Sequence, residues 1–262
     1  MKNGKIYAML IAAAFLIALI FSFVLLFTVR EVEVSYSAYG VADEKAATAI
    51  LQTFKGKNSL FLSDGEVVSS IKDFPRLKVV SVEKKYPNVL KVNVEERKEV
   101  FRLYDGENTL CMDETGFVLQ ISRGKLPAER DKIALSLSVH EEETSRKVTV
   151  YSSAAGEKIK TSCDELLYSV IKMARSASLT DIIREIKITD SKEQTLREAE
   201  FQTYTGVKII AADPETRGAD KMEKAMDVYD NRTGDYYKTF SEIIVVLDKT
   251  TGEISATWER KG

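Results

Sequence analysis

An uninterrupted apolar run near the N-terminus constrains this chain more than any other feature. Between Ile6 and Phe27 only Ser22 is not apolar, and no charged residue occurs from Ile6 to Val29. As a helix, that stretch of about 24 residues is about 36 Å long, enough to cross a hydrocarbon core of about 30 Å. No later segment approaches this length of uncharged apolar sequence, which excludes a polytopic transporter.

A cleavable signal peptide is the alternative to a permanent anchor. Its apolar region is usually about 7–15 residues and ends in a small-x-small site, whereas this run is longer and ends in Val24-Leu25-Leu26-Phe27. We therefore predict an uncleaved transmembrane anchor over residues 6–29, behind a cytoplasmic tail of residues 1–5. Lys2 and Lys5 favour a cytoplasmic N-terminus. We expect a single-pass type II protein of the cell membrane, with its C-terminal part outside.

The sequence after the anchor has the composition of a soluble protein. From Arg30 onward roughly 40% of the residues are hydrophobic, which is ordinary for a globular domain. All 40 acidic residues follow the anchor, where they slightly outnumber the basic ones. No basic stripe with interleaved aromatic residues occurs, so we expect no nucleic-acid partner.

Residues 30–98 are predicted to form a compact β-α-α-β-β unit, a small sheet with two helices on one face. Alternating apolar residues predict its strands, and apolar stripes at helical spacing predict its helices. Ser63 and Glu66 have capping-box spacing at the start of the second helix. The predicted elements are a strand at 29–36, helices at 43–54 and from 63, and strands at 77–85 and 90–95.

Residues 99–262 are predicted to form a mainly antiparallel β-domain with one long helix, so the whole chain belongs to the α+β class. The long helix spans 163–175, with Ser162 and Glu165 at capping-box spacing. A polar stretch from His140 to Arg146 is predicted to be a hairpin loop. The strands are expected at 100–104, 109–112, 117–121, 133–139, 147–151, 182–189, 198–204, 207–211, 243–247 and 253–258, and a short helix at 220–229.

The sequence shows no arrangement of residues that is typical of an enzyme. His140 is the only histidine and lies beside three glutamates, where a solvated loop residue is the simplest interpretation. It would form a nucleophilic pair with Cys163 only if the fold joined them. No Cys/His cluster has zinc spacing. We predict no catalytic, metal or cofactor site, and no enzymatic activity.

Cys111 and Cys163 are the only two cysteines. An exported domain could join them in a disulfide. Two buried thiols that behave as small hydrophobes fit the pattern equally well. The sequence alone leaves this choice open, because it does not place their Cα atoms within bonding reach.

The segment from Phe74 to Gly116 resembles the FtsQ/DivIB family of bitopic cell-division proteins, whose exported part begins with a POTRA domain. The similar motifs are specific through their order and spacing, and the resemblance implies a structural role for their residues Pro75, Lys84, Pro87, Glu96 and Arg97. One departure is Glu99, where the family usually has proline. The motifs are Phe74-Pro75-Arg76-Leu77, Val80-x-Val82, Lys84-Lys85-Tyr86-Pro87, Leu90-x-Val92-x-Val94-x-Glu96-Arg97 and Asp113-x-x-Gly116.

The resemblance implies a non-enzymatic divisome scaffold at the division septum. Such proteins bind FtsB/DivIC-type and FtsL-type bitopic coiled-coil proteins outside the membrane and help control septal peptidoglycan synthesis, with a septal peptidoglycan synthase as a further candidate partner. Two alternatives remain open: a membrane-anchored POTRA protein of a secretion or sporulation assembly, and a membrane-anchored cell-wall enzyme.

The last two predicted strands are the candidate partner-binding region. Ile243, Val245 and Leu247 belong to a continuous apolar series that would be an aggregation hazard as a bare edge. That strand is therefore interior, covered, or offered to a partner by β-augmentation. The second candidate edge is the strand with Glu253, Ser255 and Trp258, in which the only tryptophan is a plausible anchor. Which strand forms the edge stays open at this level.

Overall fold

The computed structural model describes residues 2–37, 43–141, 144–147, 150–152, 154–177, 179–191, 197–232, 242–248 and 250–259. The chain divides into two compact units, Met1–Arg97 and Lys98–Gly262. The first unit begins with helix α1 (Lys2–Leu26), which has no acidic residue in its first turn and no basic residue in its last. Its segment Met9–Leu26 is long and apolar enough to cross a membrane, and none of it is buried in protein.

The rest of the first unit has the predicted β-α-α-β-β order. It contains strand β1 (Glu31–Tyr36), helices α2 (Glu44–Gln52) and α3 (Asp64–Ser70), and strands β2 (Leu77–Lys85) and β3 (Val89–Glu96). The strands form a sheet in the order β1-β3-β2, in which β1 is parallel and β2 antiparallel to β3. One core joins sheet and helices, made of Val29, Val32, Ala47, Leu51, Phe54, Leu62, Val67, Ile71, Leu77, Leu90, Val92 and Val94.

Half of the predicted capping box at α3 is present. The Ser63 hydroxyl accepts a hydrogen bond from the Glu66 N–H at 3.1 Å, which satisfies one of the unpaired amides of the first turn. The Glu66 carboxylate pairs with the Lys57 ammonium. In a full capping box the Glu66 carboxylate would accept from the Ser63 backbone N–H. The Lys57 ammonium takes that place, because a charge-assisted bond is stronger than one to a neutral N–H.

The second unit is built on a ten-stranded sheet of mixed direction. Its order is β15-β14-β13-β12-β11-β7-β4-β5-β6, with β8 attached to β7. The β4–β7, β7–β11 and β13–β14 pairs are parallel, and the others are antiparallel. These strands are β4 (Phe101–Tyr104), β5 (Asn108–Met112), β6 (Val118–Arg123), β7 (Ile133–Glu141), β8 (Thr144–Lys147), β11 (Ile183–Ser191), β12 (Glu198–Thr203), β13 (Lys208–Ala212), β14 (Glu242–Leu247) and β15 (Ile254–Glu259).

Two helices, α4 (Asp164–Ser176) and α5 (Gly218–Arg232), pack against one face of this sheet in a single core. Strands β9 (Val150–Ser152) and β10 (Lys160–Thr161) pair separately. The largest side chains of the core that are almost fully buried include Phe101, Phe201, Leu110, Met112, Ile133, Leu166, Leu167 and Met173. The α+β class with a helix on the sheet is confirmed, and α5 is longer than the short helix predicted at 220–229.

Two local predictions were wrong. His140 lies in strand β7, opposite Ser145 of β8, and is not a loop residue. Of the strand predicted at 147–151, Lys147 belongs to β8 and residues 150–151 belong to β9, while 148 and 149 lie outside the described residues. Cys163 holds the N-cap position of α4 in place of Ser162. The Asp164 carboxylate accepts from the Thr161 N–H at 2.5 Å, so the helix start is fixed by a residue inside it.

The Asp113-x-x-Gly116 motif forms a tight turn between β5 and β6. The buried Asp113 carboxylate accepts hydrogen bonds from the N–H groups of Thr115 and Phe117 at 2.8 and 3.0 Å. Gly116 has a φ of 78°, a conformation that favours glycine. A Cβ atom at Gly116 would lie 3.0 Å from the Tyr168 ring and 3.2 Å from Ile171, so both backbone and packing require glycine there.

The Gly116→Ala change is expected to lower the free energy of unfolding of the second unit by about 2–4 kcal/mol, since backbone strain and overpacking add. Gly124→Ala is the matched control, because Gly124 has a φ of 81° and no neighbour within 4 Å of the added Cβ. That control retains only the strain, about 1–2 kcal/mol. Urea denaturation measures both variants, and equal losses would show that the packing against α4 contributes nothing.

Candidate partner-binding edge of the second unit

Strand β14 lies inside the sheet. It pairs with β13 through Lys208 to Ala211 and with β15 along its whole length. Its side chains Ile243 and Val245 are 0% exposed and belong to the core. The prediction that these two side chains contact a partner is therefore corrected: their strand has no free edge, and their surface is already used for packing.

Strand β15 is at the end of the sheet, and no described strand pairs with its outer side. Ser255 and Thr257 are exposed, whereas Ile254 and Ala256 are half-buried and pack against the core. The inner face of β15 therefore holds the strand on the domain, while no described residue makes a backbone hydrogen bond to its outer edge. Of the two strands considered from sequence, β15 has the geometry of an acceptor for an added strand.

The opposite edge of the sheet is strand β6, and a loop covers part of it. At the start of strand β6, the Val118 N–H donates to the Glu157 carbonyl at 2.9 Å, and the Gly156 N–H donates to the Val118 carbonyl at 2.9 Å. A loop thus covers the first backbone groups of that edge. Within the described residues, no comparable cover is present on β15.

The turn that leads into β15 is tied to the body of the domain. The Asp248 carboxylate accepts from the N–H groups of Thr250 and Thr251, and these bonds hold the pKa of Asp248 below its ordinary value. Arg217 donates to the Gly252 carbonyl at 2.9 Å and to the Asp220 carboxylate at 2.7 Å. The edge strand is thereby connected to the first turn of α5.

A buried lysine fixes α5 where it supports the last strands. Lys221 is 1% exposed, and its ammonium donates to the carbonyls of Ala212 and Asp213 at 2.7 and 2.9 Å. Both acceptors lie at the end of β13, next to β14 in the sheet. The sequence gives no signal for this burial, because a lysine in an amphipathic helix is usually exposed.

The face of the sheet away from the helices carries an alternating ladder of charges. Lys187, Glu200, Lys208 and Glu242 follow one another across four strands, with N···O distances of 3.5–3.8 Å. Burial raises the pKa of Glu200, but hydrogen bonds from Gln202 and the two lysine charges outweigh it and leave that pKa below its ordinary value. The ladder stabilises a wetted face and presents no cluster with catalytic geometry.

The remaining predicted partner residues have mixed positions. Leu247 is half-buried, and Glu253 is exposed in the turn before β15. Trp258 is the register partner of Ile243, but the prediction that its side chain is an anchor lies outside what the structure describes. Contact of Glu253, Ser255 and Trp258 with a partner stays a prediction.

The POTRA motif residues make contacts within the first unit. Lys84 donates to the Leu62 carbonyl at 2.6 Å and lies 3.3 Å from the Asp64 carboxylate, which joins β2 to the start of α3. The Pro87 carbonyl accepts from the Ser59 hydroxyl at 3.3 Å. Pro75 lies just before β2, Glu96 ends β3 opposite Leu77, and the Arg97 N–H donates to the Arg76 carbonyl at 2.7 Å.

The departure at Glu99 also has a structural role. The Glu99 carboxylate accepts from Arg102 at 2.5 Å, and Arg102 also pairs with Glu129 at 2.8 Å. A proline would not provide this acceptor. The first strand of the second unit is therefore held by an ion pair at this position.

Cys111 and Cys163 are both buried and are not joined to each other, so the disulfide alternative is not realised. Burial raises the pKa of the Cys163 thiol above its ordinary value, which disfavours the nucleophilic thiolate. Among the described residues, no group of three or more His, Cys, Asp or Glu side chains could hold a metal ion. The structure describes only the backbone of His140, which pairs with Ser145 of β8 and Ser191 of β11.

Comparisons with known proteins give a consistent result. Residues 27–97 match the family model of the FtsQ-type POTRA domain. The cell division protein DivIB of Clostridium acetobutylicum is 29% identical over 136 residues, which is 52% of this chain and 48% of that protein. The alignment thus spans about half the length of the curated relative.

Among solved structures, the major extracytoplasmic domain of DivIB from Geobacillus stearothermophilus matches 53% of this chain and 98% of that domain. The identity is 15% and the TM-score 0.30, which is too low to support a shared fold. The POTRA match and the curated relative agree with the ordered motifs from Phe74 to Gly116 and with the observed β1-β3-β2 sheet. Residues 27–97 are thus similar to the FtsQ-type POTRA domain, and about half of the chain is similar to the cell division protein DivIB.

Proposed function

We propose that this protein is a cell-division scaffold at the septum, anchored in the cell membrane by α1 with its N-terminus in the cytoplasm. The family and the curated relative support the division role. The apolar helix with Lys2 and Lys5 before it supports a single-pass type II orientation. The role is non-enzymatic, and it consists of bringing division proteins together.

The open edge of β15 carries this proposal. Free strand edges are usually blunted by charged residues, proline or a covering segment; the only charged residue of β15 is its last, Glu259, and the strand contains no proline. The strand is kept in place from inside by β14 and by α5. A partner segment that adds as an extra strand would satisfy the open backbone groups and could reach Glu253, Ser255 and Trp258.

The partners we propose are the FtsB/DivIC-type and FtsL-type bitopic coiled-coil proteins, with effects on septal peptidoglycan synthesis through a septal synthase. Recognition through backbone groups and apolar contacts also fits the near-neutral charge of the chain, which has 38 basic and 40 acidic residues.

Localisation combined with pull-down tests this function. A fluorescent fusion of the full chain is expected to collect at midcell and to recover a short bitopic coiled-coil protein. A fusion whose POTRA unit is intact but whose chain stops before β14 is the matched control and should lose that protein. Uniform membrane labelling without such a partner would contradict the proposal and favour another membrane-anchored assembly.

A further inference from the structure

The loop between α2 and α3 is bound to the outer end of helix α1. The Val29 N–H donates to the Lys57 carbonyl at 2.8 Å, and the Ser59 N–H donates to the Phe27 carbonyl at 2.8 Å. The Ser59 hydroxyl, which is part of a 2% exposed residue, donates to the same carbonyl at 2.9 Å. The segment 56–59 therefore runs antiparallel to the residues that leave the helix.

Asn58 reaches further down the helix. Its amide donates to the Val24 carbonyl at 2.9 Å, one of the last carbonyls that lack a partner within the helix. Val24 is still inside the apolar run that ends at Phe27. Asn58 consequently lies at the depth where the apolar run ends, which for a spanning helix is the boundary between hydrocarbon and headgroups.

The next two residues are apolar and exposed. Leu60 is 40% exposed and Phe61 is 81% exposed. They form the tip of a turn in which the N–H groups of Phe61 and Leu62 both donate to the Asn58 carbonyl. Because Ser59 and Leu62 are buried on either side, the tip is held out from the domain.

Tyr86 extends the same surface. Its ring packs edge-on against Phe27 with centroids 5.7 Å apart, and it is 58% exposed. Phe27 in turn lies 4.8 Å from Phe23. Aromatic side chains at the end of a spanning helix are typical of the membrane interface, where an apolar ring and a polar hydroxyl are both accommodated.

We propose that Leu60, Phe61 and Tyr86 form a second membrane contact, which inserts into the interfacial region of the bilayer beside the outer end of α1. This inference rests on the proposed membrane anchoring. The occupant is the lipid bilayer, because these exposed apolar groups are continuous with a helix surface that must itself be surrounded by lipid. The contact makes the POTRA unit lie on the membrane and restricts its tilt relative to the anchor.

Tryptophan fluorescence in vesicles tests the contact. The experiment uses the full chain with Trp258→Phe, so that Phe61→Trp supplies the only tryptophan. In phosphatidylglycerol/phosphatidylcholine vesicles we expect lipids brominated near the top of the acyl chain to quench the Phe61→Trp emission by about half. Aqueous acrylamide is expected to quench it weakly.

Val80→Trp is the matched control. Val80 is an exposed apolar residue of the same unit, at 56% exposure, and lies in β2 about 20 Å along the strand from Tyr86. We expect acrylamide, but not brominated lipid, to quench this variant. Equal quenching of Phe61→Trp and Val80→Trp by acrylamide, without quenching by lipid, would overturn the second contact.

A third probe separates this inference from the anchoring on which it depends. Phe15→Trp lies in the middle of α1, where lipids brominated near the end of the acyl chain should quench it. If Phe15→Trp is quenched and Phe61→Trp is not, the anchor stands and the second contact is wrong. If acrylamide quenches Phe15→Trp and brominated lipid does not, the anchoring itself is wrong.

Discussion

Proline substitution at Ser255 and at Ala256, one at a time, is expected to separate partner binding from folding. Neighbouring residues of a strand direct their N–H groups to opposite sides, so one of the two points to β14 and the other to the open edge. Proline removes that donor and places a ring where it stood. Only the outward position can therefore be changed without breaking the β14–β15 ladder.

The outward variant should bind the coiled-coil partner about 10- to 100-fold more weakly, since one hydrogen bond is lost and the ring blocks close approach. Its unfolding midpoint in urea should stay close to that of the unchanged protein. The inward variant should lose about 2–4 kcal/mol of unfolding free energy as well as binding. Titration calorimetry and denaturation of the same preparations measure the two effects.

Ser255→Thr is the control, because threonine keeps the backbone N–H and suits an exposed strand position. It should bind like the unchanged protein. The β-augmentation proposal is contradicted at this strand if both proline variants retain full affinity in folded protein. Weakened binding by Ser255→Thr alone would instead indicate a side-chain contact at this position.

The sequence predicted the first unit well because its signals are local. Strict alternation in β3, with Leu90, Val92 and Val94 all at 2% exposure or less, follows directly from one buried face. Ser63 marked the start of α3, and Pro87 marked the turn. Each of these features is decided by residues within one turn or one strand.

The second unit was harder to predict because its features depend on distant partners. His140 is a polar residue in β7, where pairing with β8 and β11 outweighs its weak strand preference. The interior position of β14 depends on β13, about thirty residues earlier in the chain. The sequence could identify an apolar strand at 243–247, but not which of the last two strands closes the sheet.

The same limit applied to Lys221. Its sequence context, Asp220-Lys221-Met222-Glu223, is that of a solvated helix face. The structure buries the ammonium because the backbone at the end of β13 presents two carbonyls that point at it; Asp213 there has a φ of 45°. No local sequence pattern predicts that the carbonyls of Ala212 and Asp213 accept from Lys221.

The Lys221→Met change is expected to lower the unfolding free energy of the second unit by about 2–4 kcal/mol. Methionine has a similar length but cannot donate, so the carbonyls of Ala212 and Asp213 lose this charged donor. Lys224→Met is the matched control, because Lys224 is exposed on the same helix, and it should change stability by no more than about 0.5 kcal/mol. Urea denaturation followed by Trp258 fluorescence reports on this unit.

The Lys221→Met change should also weaken partner binding although Lys221 is buried and distant from the open edge in sequence. Helix α5 covers the inner face of β14 and β15, and Arg217, directly before this helix, donates to the Gly252 carbonyl of the turn before β15. Loosening the helix therefore loosens the strand that must be ordered to accept another. Reduced stability with unchanged affinity would show that β15 is held by β14 alone, and unchanged stability would show that the buried ammonium is no better than a methyl group at this site.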